Sequence, residues 1–305
     1  MAEHVEAPAL HTVNPDLGEP RTPIARRHPD WIKVRMPSGP VYTKTKAIVS
    51  AFKLNTVCQE AQCPNIGECW GHGTATFMLM GDVCTRNCRF CAVSHGRVVT
   101  LDPQEPQRVA EAALKMGLSH IVVTSVNRDD LPDGGAGHFA ATARELKHLH
   151  PQCTIEVLTP DFQGNEEAVA SVARSPIEIY NHNTETVPRL YKRVRPGAKY
   201  ERSLRVLQKA KETRADLKTK TGLMLGLGET YEELLHVFGD LRAVDCDILT
   251  LGQYLRPSQD QLPVERYVHP DEFAALRTEA LALGFRHVEA GPLVRSSYHA
   301  WKHVE

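Results

Sequence analysis

The sequence predicts an α/β fold, a partial (β/α)6 TIM-like barrel with a cysteine-rich N-terminal extension and a C-terminal extension. Three observations predict it. From residue 75 onward, short apolar runs alternate with longer amphipathic stretches about six times, and strand–helix alternation of this kind argues for a parallel sheet covered by helices. The segments that follow the apolar runs carry the unusual polar residues, as a barrel with its site at the strand C-termini requires. Six units fall short of the eight that close a barrel, so the sheet is expected to remain open.

Taken in order, residues 1–45 are rich in proline, histidine and charge and show no period. They read as an N-terminal arm that Trp31, in Arg26-Arg27-His28-Pro29-Asp30-Trp31, would order by entering a pocket; the alternative is an unordered terminus. Residues 46–74 hold three cysteines and are broken by Pro64, Asn65 and Gly67, which predicts a compact, loop-rich extension. Residues 75–284 form the barrel, with strands expected at 75–80, 120–125, 154–158, 177–181, 219–225 and 247–251. Helices are expected near 104–116, 136–149, 165–173, 199–213, 230–243 and 270–283. In the first of these, Val109, Ala112, Ala113 and Met116 share one face. Residues 285–305 are the C-terminal extension.

Composition narrows the functional classes. With 36 Lys+Arg against 37 Asp+Glu, no global field favours nucleic acid or an anionic membrane. No apolar run approaches membrane-spanning length. The start, Met1-Ala-Glu-His-Val-Glu-Ala-Pro, lacks the basic and apolar stretches of a secretory signal, and Glu3 and Glu6 argue against an organelle transit peptide. The expected location is the cytoplasm, where the eight cysteines stay reduced.

Six of those cysteines form two triplets, Cys58/Cys63/Cys69 and Cys84/Cys88/Cys91. Thiolates bunched this tightly are usually metal ligands. Two groups of three suggest two clusters, each with one iron that lacks a cysteine. The second triplet, Cys84-Thr-Arg-Asn-Cys88-Arg-Phe-Cys91, directly follows the first barrel strand. Its three thiolates can each reach a separate iron of a cubane, leaving a fourth iron open. A structural zinc site with His95 as fourth ligand is the alternative. Cys153 and Cys246 stand apart and read as buried free thiols.

The C-x3-C-x2-C triplet after the first strand resembles the radical S-adenosylmethionine superfamily. That resemblance implies a 4Fe-4S cluster whose open iron is chelated by the amino and carboxylate groups of S-adenosylmethionine, which is cleaved to a 5′-deoxyadenosyl radical. Combined with Cys58-Gln-Glu-Ala-Gln-Cys63-Pro-Asn-Ile-Gly-Glu-Cys69, the chain resembles the lipoyl synthase family from about Trp31 to Tyr298. Matching pieces include Thr124-Ser-Val-Asn-Arg-Asp-Asp130, Glu156-Val-Leu-Thr-Pro-Asp-Phe162, Asn181-His-Asn-Thr-Glu-Thr186 and Arg295-Ser-Ser-Tyr298. The family resemblance implies radical insertion of two sulfurs, at carbons 6 and 8, into an octanoyl chain on a lysine of a lipoyl carrier domain. It implies that a second 4Fe-4S cluster, on Cys58, Cys63, Cys69 and Ser297, is the consumed sulfur source. The implied partners are octanoylated carrier domains (2-oxoacid dehydrogenase E2 subunits and the glycine cleavage H protein), a flavodoxin or ferredoxin, and an iron–sulfur carrier.

For S-adenosylmethionine the candidate contacts are Thr124, Ser125, Asn181, Asn183, Arg195 and Gly226. Thr124 and Ser125 open a loop that the resemblance sets beside the methionyl amino group; the alternative is a solvated turn. Asn181 and Asn183 suit a ribose or adenine edge, while His182 is expected to point into packing. Arg195 suits the methionyl carboxylate, with Arg193 an equal candidate. Gly226 in Gly-Leu-Gly-Glu229 suits a close approach of backbone to adenine, against a plain strand-to-helix turn. It does not begin a dinucleotide fingerprint, because position 231 is Tyr. Gln261 stands where the family commonly has His. The competing functions are another sulfur-inserting radical enzyme, resembling biotin synthase or a methylthiolating enzyme, and a non-catalytic zinc-binding protein.

Overall fold

The computed structural model describes residues 28–33, 39–60, 63–71, 75–298 and 300; Arg26, Arg27 and most of the expected arm lie outside them. Trp31 meets the His269 ring edge-on at 5.0 Å but stays 39% exposed, so it leans on the surface rather than filling a pocket. The first element, helix α1 (Pro40–Ala51), was not expected from the sequence. Only Thr45 and Val49 of it are buried, and two residues one turn apart leave too thin a stripe for periodicity to register.

After α1 come strand β1 (Asn55–Thr56) and two short helices, α2 (Val57–Glu60) and α3 (Ile66–Gly71). Strand β2 (Thr76–Leu79) leads to two-residue strands β3 (Val83–Cys84) and β4 (Ser94–His95). The alternation then sets in: α4 (Glu105–Met116), β5 (His120–Ser125), α5 (Ala136–Leu149), β6 (Thr154–Leu158), α6 (Glu166–Ala173), β7 (Ile179–Asn181) and the one-turn α7 (Tyr191–Val194). It ends with α8 (Tyr200–Thr213), β8 (Lys218–Leu225), α9 (Tyr231–Ala243), β9 (Ile248–Gln253), α10 (Pro270–Ala282) and β10 (His287–Gly291).

Local chemistry sets several helix ends. Gly117 stops α4 in the left-handed region at φ 69°. The Asn165 side chain accepts from two backbone N–H groups at the start of α6, and Thr230 with Glu233 forms a capping box on α9.

The main sheet runs β1-β2-β5-β6-β7-β8-β9-β10. Strand β1 is antiparallel to β2 and every other pairing is parallel. Among the described residues its two edges do not pair with each other, so the barrel is partial, as expected. The six expected strands are β2 and β5 to β9. A seventh parallel strand, β10, comes from the segment read as a C-terminal extension.

The barrel interior is not wholly apolar. Lys220 donates to both oxygens of Glu156 at 2.7 and 2.9 Å, and Asn181 Nδ2 donates to the same carboxylate at 2.8 Å, all fully buried. Burial lowers the Lys220 pKa, opposed by Glu156. Replacing such a pair by apolar residues is often neutral, but breaking it by removing one partner costs about 3–5 kcal/mol. Its evident effect here is to pin β6, β7 and β8 to one another beneath the strand C-termini.

Candidate active site

The C-terminal ends of the parallel strands open into a cavity of about 470 Å³, a size that encloses a small molecule. All six triplet cysteines line it, together with Ser296, Ser297 and Tyr298 from the far end of the chain. Cys153 and Cys246 are buried elsewhere, and all eight cysteines are free thiols.

The first trio is carried by α2, a turn and α3. The Cys63 N–H donates to the Cys58 carbonyl at 3.1 Å and the Cys69 N–H to the Asn65 carbonyl at 2.9 Å, folding the segment back on itself. Trp70, fully buried and tilted against Tyr42 at 5.2 Å, forms the wall behind it. Burial pushes the Cys58 thiol up to about 11, with Cys63 adding to the rise and the Trp70 indole opposing it. The Trp70 Nε1–H is buried without a hydrogen-bond partner. Burial, then Cys58 and Cys63, takes Cys69 to about 12. Burial also raises Cys63, against the pull of the Arg295 charge.

The second trio begins with Cys84 at the end of β3 and continues with Cys88 and Cys91 on the loop that leads to β4. The Cys84 sulfur accepts from the backbone N–H of Arg86 at 3.4 Å and of Asn127 at 3.3 Å. Arg86 is a fork between two strand ends, with Nε 2.6 Å from an Asp129 oxygen and Nη2 2.6 Å from an Asp161 oxygen. Asp161 also meets Arg202 at 3.1 Å, and the hydrogen bond and charge of Arg86 hold its carboxyl well below the usual range despite burial. Gln261 Nε2 donates to the Cys91 carbonyl at 3.2 Å and the Leu262 N–H to the Arg89 carbonyl at 2.9 Å, so the Gln261 segment clasps the same loop. Burial pushes Cys88 up to about 11, partly offset by Arg195, and Cys91 up to about 12. Among the described residues no three His, Cys, Asp or Glu side chains converge as a single metal ion would need.

Of the residues expected to bind S-adenosylmethionine, Thr124, Ser125, Asn183 and Arg195 line the cavity. Thr124 Oγ1 donates to the Leu158 carbonyl at 2.9 Å. Ser125 Oγ, Asn183 Oδ1 and Arg195 Nε are buried without partners. Arg195 lies over the Tyr191 ring at 5.5 Å and donates to the Asn183 carbonyl at 2.7 Å. Arg193 instead forms an exposed pair with Glu265 at 2.5 Å, which separates the two arginines.

Two of the expected residues lie outside the cavity lining. Asn181 does not line the cavity; its amide is drawn below it by the buried Glu156. Gly226 does not line it either. Its φ of 95° and the Gln253 amide and Arg266 carbonyl, where a Cβ would stand, make it a packed strand-to-helix turn. His182 borders the cavity, but its ring is spent on the Thr159 carbonyl at 2.9 Å and Ser203 at 3.1 Å.

The sequence reading missed Glu185, Gly222 and Thr250. Glu185 lines the cavity with a left-handed backbone, φ 66°, a strain that non-glycine residues hold mostly at functional sites. Asn183 Nδ2 donates to it at 3.1 Å. A Cβ on Gly222 would stand 2.7 Å from Thr250 Oγ1 and 3.0 Å from Asn183 Oδ1, so only glycine leaves that floor open. The signal for Glu185 lay in Asn181-His-Asn-Thr-Glu-Thr186 and that for Gly222 in Gly222-Leu-Met-Leu-Gly-Leu-Gly-Glu229, which also resembles the family; for Thr250 there was none outside the fold.

A partial parallel barrel carrying a three-thiol loop after its first strand defines a class. The radical S-adenosylmethionine superfamily profile matches residues 78–241, and the fold resembles solved Streptococcus suis SuiB bound to S-adenosylmethionine, with TM-score 0.56, 12% identity and coverage of 75% of this chain and 54% of that one. At that identity the likeness shows the fold alone. A profile for the N-terminal domain of lipoyl synthase matches residues 12–63. The lipoyl synthase of Koribacter versatilis is 56% identical over 282 residues, 92% of each chain. That of Thermus thermophilus is 55% identical over 298 residues, 97% of this chain and 92% of its own. The chain belongs to the lipoyl synthase family.

Proposed function

We propose that this chain inserts two sulfur atoms, at carbons 6 and 8, into a protein-bound octanoyl chain, and that both thiol trios serve that reaction in one chamber. The observation that carries the reading is the shared cavity: two trios far from each other in role, and Ser297 from the other chain end, all border the same space.

Superfamily membership brings a 4Fe-4S cluster and S-adenosylmethionine, and the second trio fits them. Two backbone N–H groups already point at the Cys84 sulfur, the arrangement that supports a ligating thiolate. Unpartnered Ser125, Asn183 and Arg195 atoms border the same cavity and await a polar ligand. When bound, that group supplies one-electron cleavage of a sulfonium and so a carbon radical able to take hydrogen from an unactivated C–H bond. Arg195 offers a charged donor to a carboxylate, Asn183 and Ser125 fix a polar edge, and Glu185 suits a cationic ammonium. Apolar side chains such as Val126, Leu223 and Met224 complete the wall, keep water away and suit an acyl chain.

The first trio holds a second 4Fe-4S cluster, the sulfur-donating substrate, with Ser297 as oxygen ligand. The buried Trp70 indole N–H beside Cys58 and the Arg295 charge beside Cys63 both suit anionic sulfur. A hard alkoxide is a weakly matched ligand that can leave as sulfide is drawn off. Ser297→Cys should keep the iron content and slow sulfur insertion; unchanged turnover dismisses the lability argument.

The reading sets the chain in the cytoplasm, with carrier domains bearing octanoyl-lysine, a flavodoxin or ferredoxin as reductant and an iron–sulfur carrier for rebuilding. Among the described residues no helix is long and apolar enough to cross a membrane. The test is anaerobic incubation with an octanoyl-lysine peptide, S-adenosylmethionine and a reductant. Lipoyl product with 5′-deoxyadenosine is expected, from protein carrying about eight iron. Zinc without iron, or 5′-deoxyadenosine without sulfur insertion, sinks the proposal.

A further inference from the structure

The tail after β10 must deliver Ser297 to a trio that lies more than two hundred residues earlier in the chain, and contacts such as these seat it. Asn65 Nδ2 donates to the Leu293 carbonyl at 2.6 Å. The Val294 carbonyl packs against the Gly252 backbone at the end of β9, in space a Cβ would fill. The Tyr298 hydroxyl meets Glu68 Oε1 at 3.1 Å, in an exposed position. An exposed contact of that kind adds little, because water competes for both partners.

Asn65 differs from the other two. It is only 3% exposed, and it sits between Cys63 and Cys69. Its carbonyl accepts the Cys69 N–H at 2.9 Å. One residue therefore bonds a member of the trio through its backbone and the tail through its side chain. A rotation or shift of the trio carries the tail with it.

We propose that Asn65 is a positioning residue that sets the register of Ser297 against the first trio, so that the serine oxygen meets the iron the three thiolates leave open. The inference rests on the reading of Ser297 as a ligand. Asn65 borders the cavity beside Cys63, and its side-chain amide donates to the tail carbonyl. It fixes where the tail backbone lies, and with it how often the oxygen is in place.

The test uses full-length chain loaded with both clusters under argon and then mildly oxidised. A cubane whose fourth iron has no protein ligand loses it and gives a three-iron paramagnetic signal, while one fully ligated keeps it. The unaltered chain, without S-adenosylmethionine, should give about one such spin per chain, from the second trio. Ser297→Ala should give about two, and so should Asn65→Asp, which keeps shape but cannot donate to the Leu293 carbonyl. The double variant should give no more than either single one. Backbone hydrogen exchange across residues 293–298 should quicken about tenfold in Asn65→Asp and in Asn65→Ala. One spin in Asn65→Asp with two in Ser297→Ala overturns the role given to Asn65 alone. One spin in Ser297→Ala overturns the ligand reading beneath it. Should Asn65→Asp load poorly, Asn65→Ala gives the same comparison, and normal loading of the second trio shows that the barrel is intact.

Discussion

Arg195 carries a measurable consequence for ligand binding. Its guanidinium lies over the Tyr191 ring, reaches the Asn183 carbonyl and leaves Nε unpaired at the cavity wall. A planar fork loses more than its charge on becoming lysine. A hydrogen bond between charged groups is worth about 1.5–3 kcal/mol, so Arg195→Lys should weaken S-adenosylmethionine binding by about tenfold to a hundredfold, read by equilibrium dialysis. His182 makes a pH prediction. Burial and the Arg195 charge hold it at about 4, below the unfolded value near 6.5. Between those values the unfolded chain binds the extra proton, so stability is complete above about pH 6.5 and is lost as pH falls toward 4. The loss attributable to His182 is roughly 3 kcal/mol. The urea midpoint measured at about pH 7 and about pH 5 should show about 2 kcal/mol of that loss, and His182→Asn should flatten the slope.

At the scale of elements, the cysteine loop is held from outside itself. Arg86 ties it to the ends of β5 and β6 through Asp129 and Asp161, and Arg202 of α8 meets Asp161 from behind. Asp161→Asn strips a buried carboxylate from two guanidinium groups, a loss of about 3–5 kcal/mol. The expected result is iron retained by the first trio and diminished on the second; equal loading of both contradicts this account. Elements were legible where burial was periodic. Strands β5 and β6 and helix α5 match expectation to the residue, because each is a bounded apolar run or carries a broad apolar face. Strand β10 was missed because His287, Glu289 and Gly291 are only partly buried and it pairs on one side only, with β9. Helix α1 was missed for the thinness of its buried stripe.

Over the whole molecule, the decisive contact is between chain ends. The tail can lie across β9 only because residue 252 is glycine: a Cβ there would occupy the place of the Val294 carbonyl. Gly252→Ala should push the tail outward without touching a cysteine. The expected signs are faster hydrogen exchange at residues 293–298 and slower sulfur insertion, with iron on the second trio and 5′-deoxyadenosine formation retained. Loss of radical chemistry instead would show that β9 itself had shifted.

The sequence by itself determined the six-unit parallel barrel, the two thiol triplets and the terminal serines, because apolar periodicity and ligand spacing are local properties written in adjacent residues. Tertiary structure decided what those pieces face. It turned Asn181 down toward Glu156, filled the Gly226 approach with Gln253 and Arg266, separated Arg195 from Arg193, and set Glu185 and Asn65 at the cavity and the tail. The physical reason is that a side chain's partner is chosen by burial and geometry across strands far apart in the chain, and an unpaired polar group in the interior must find the donor or charge that the fold brings to it.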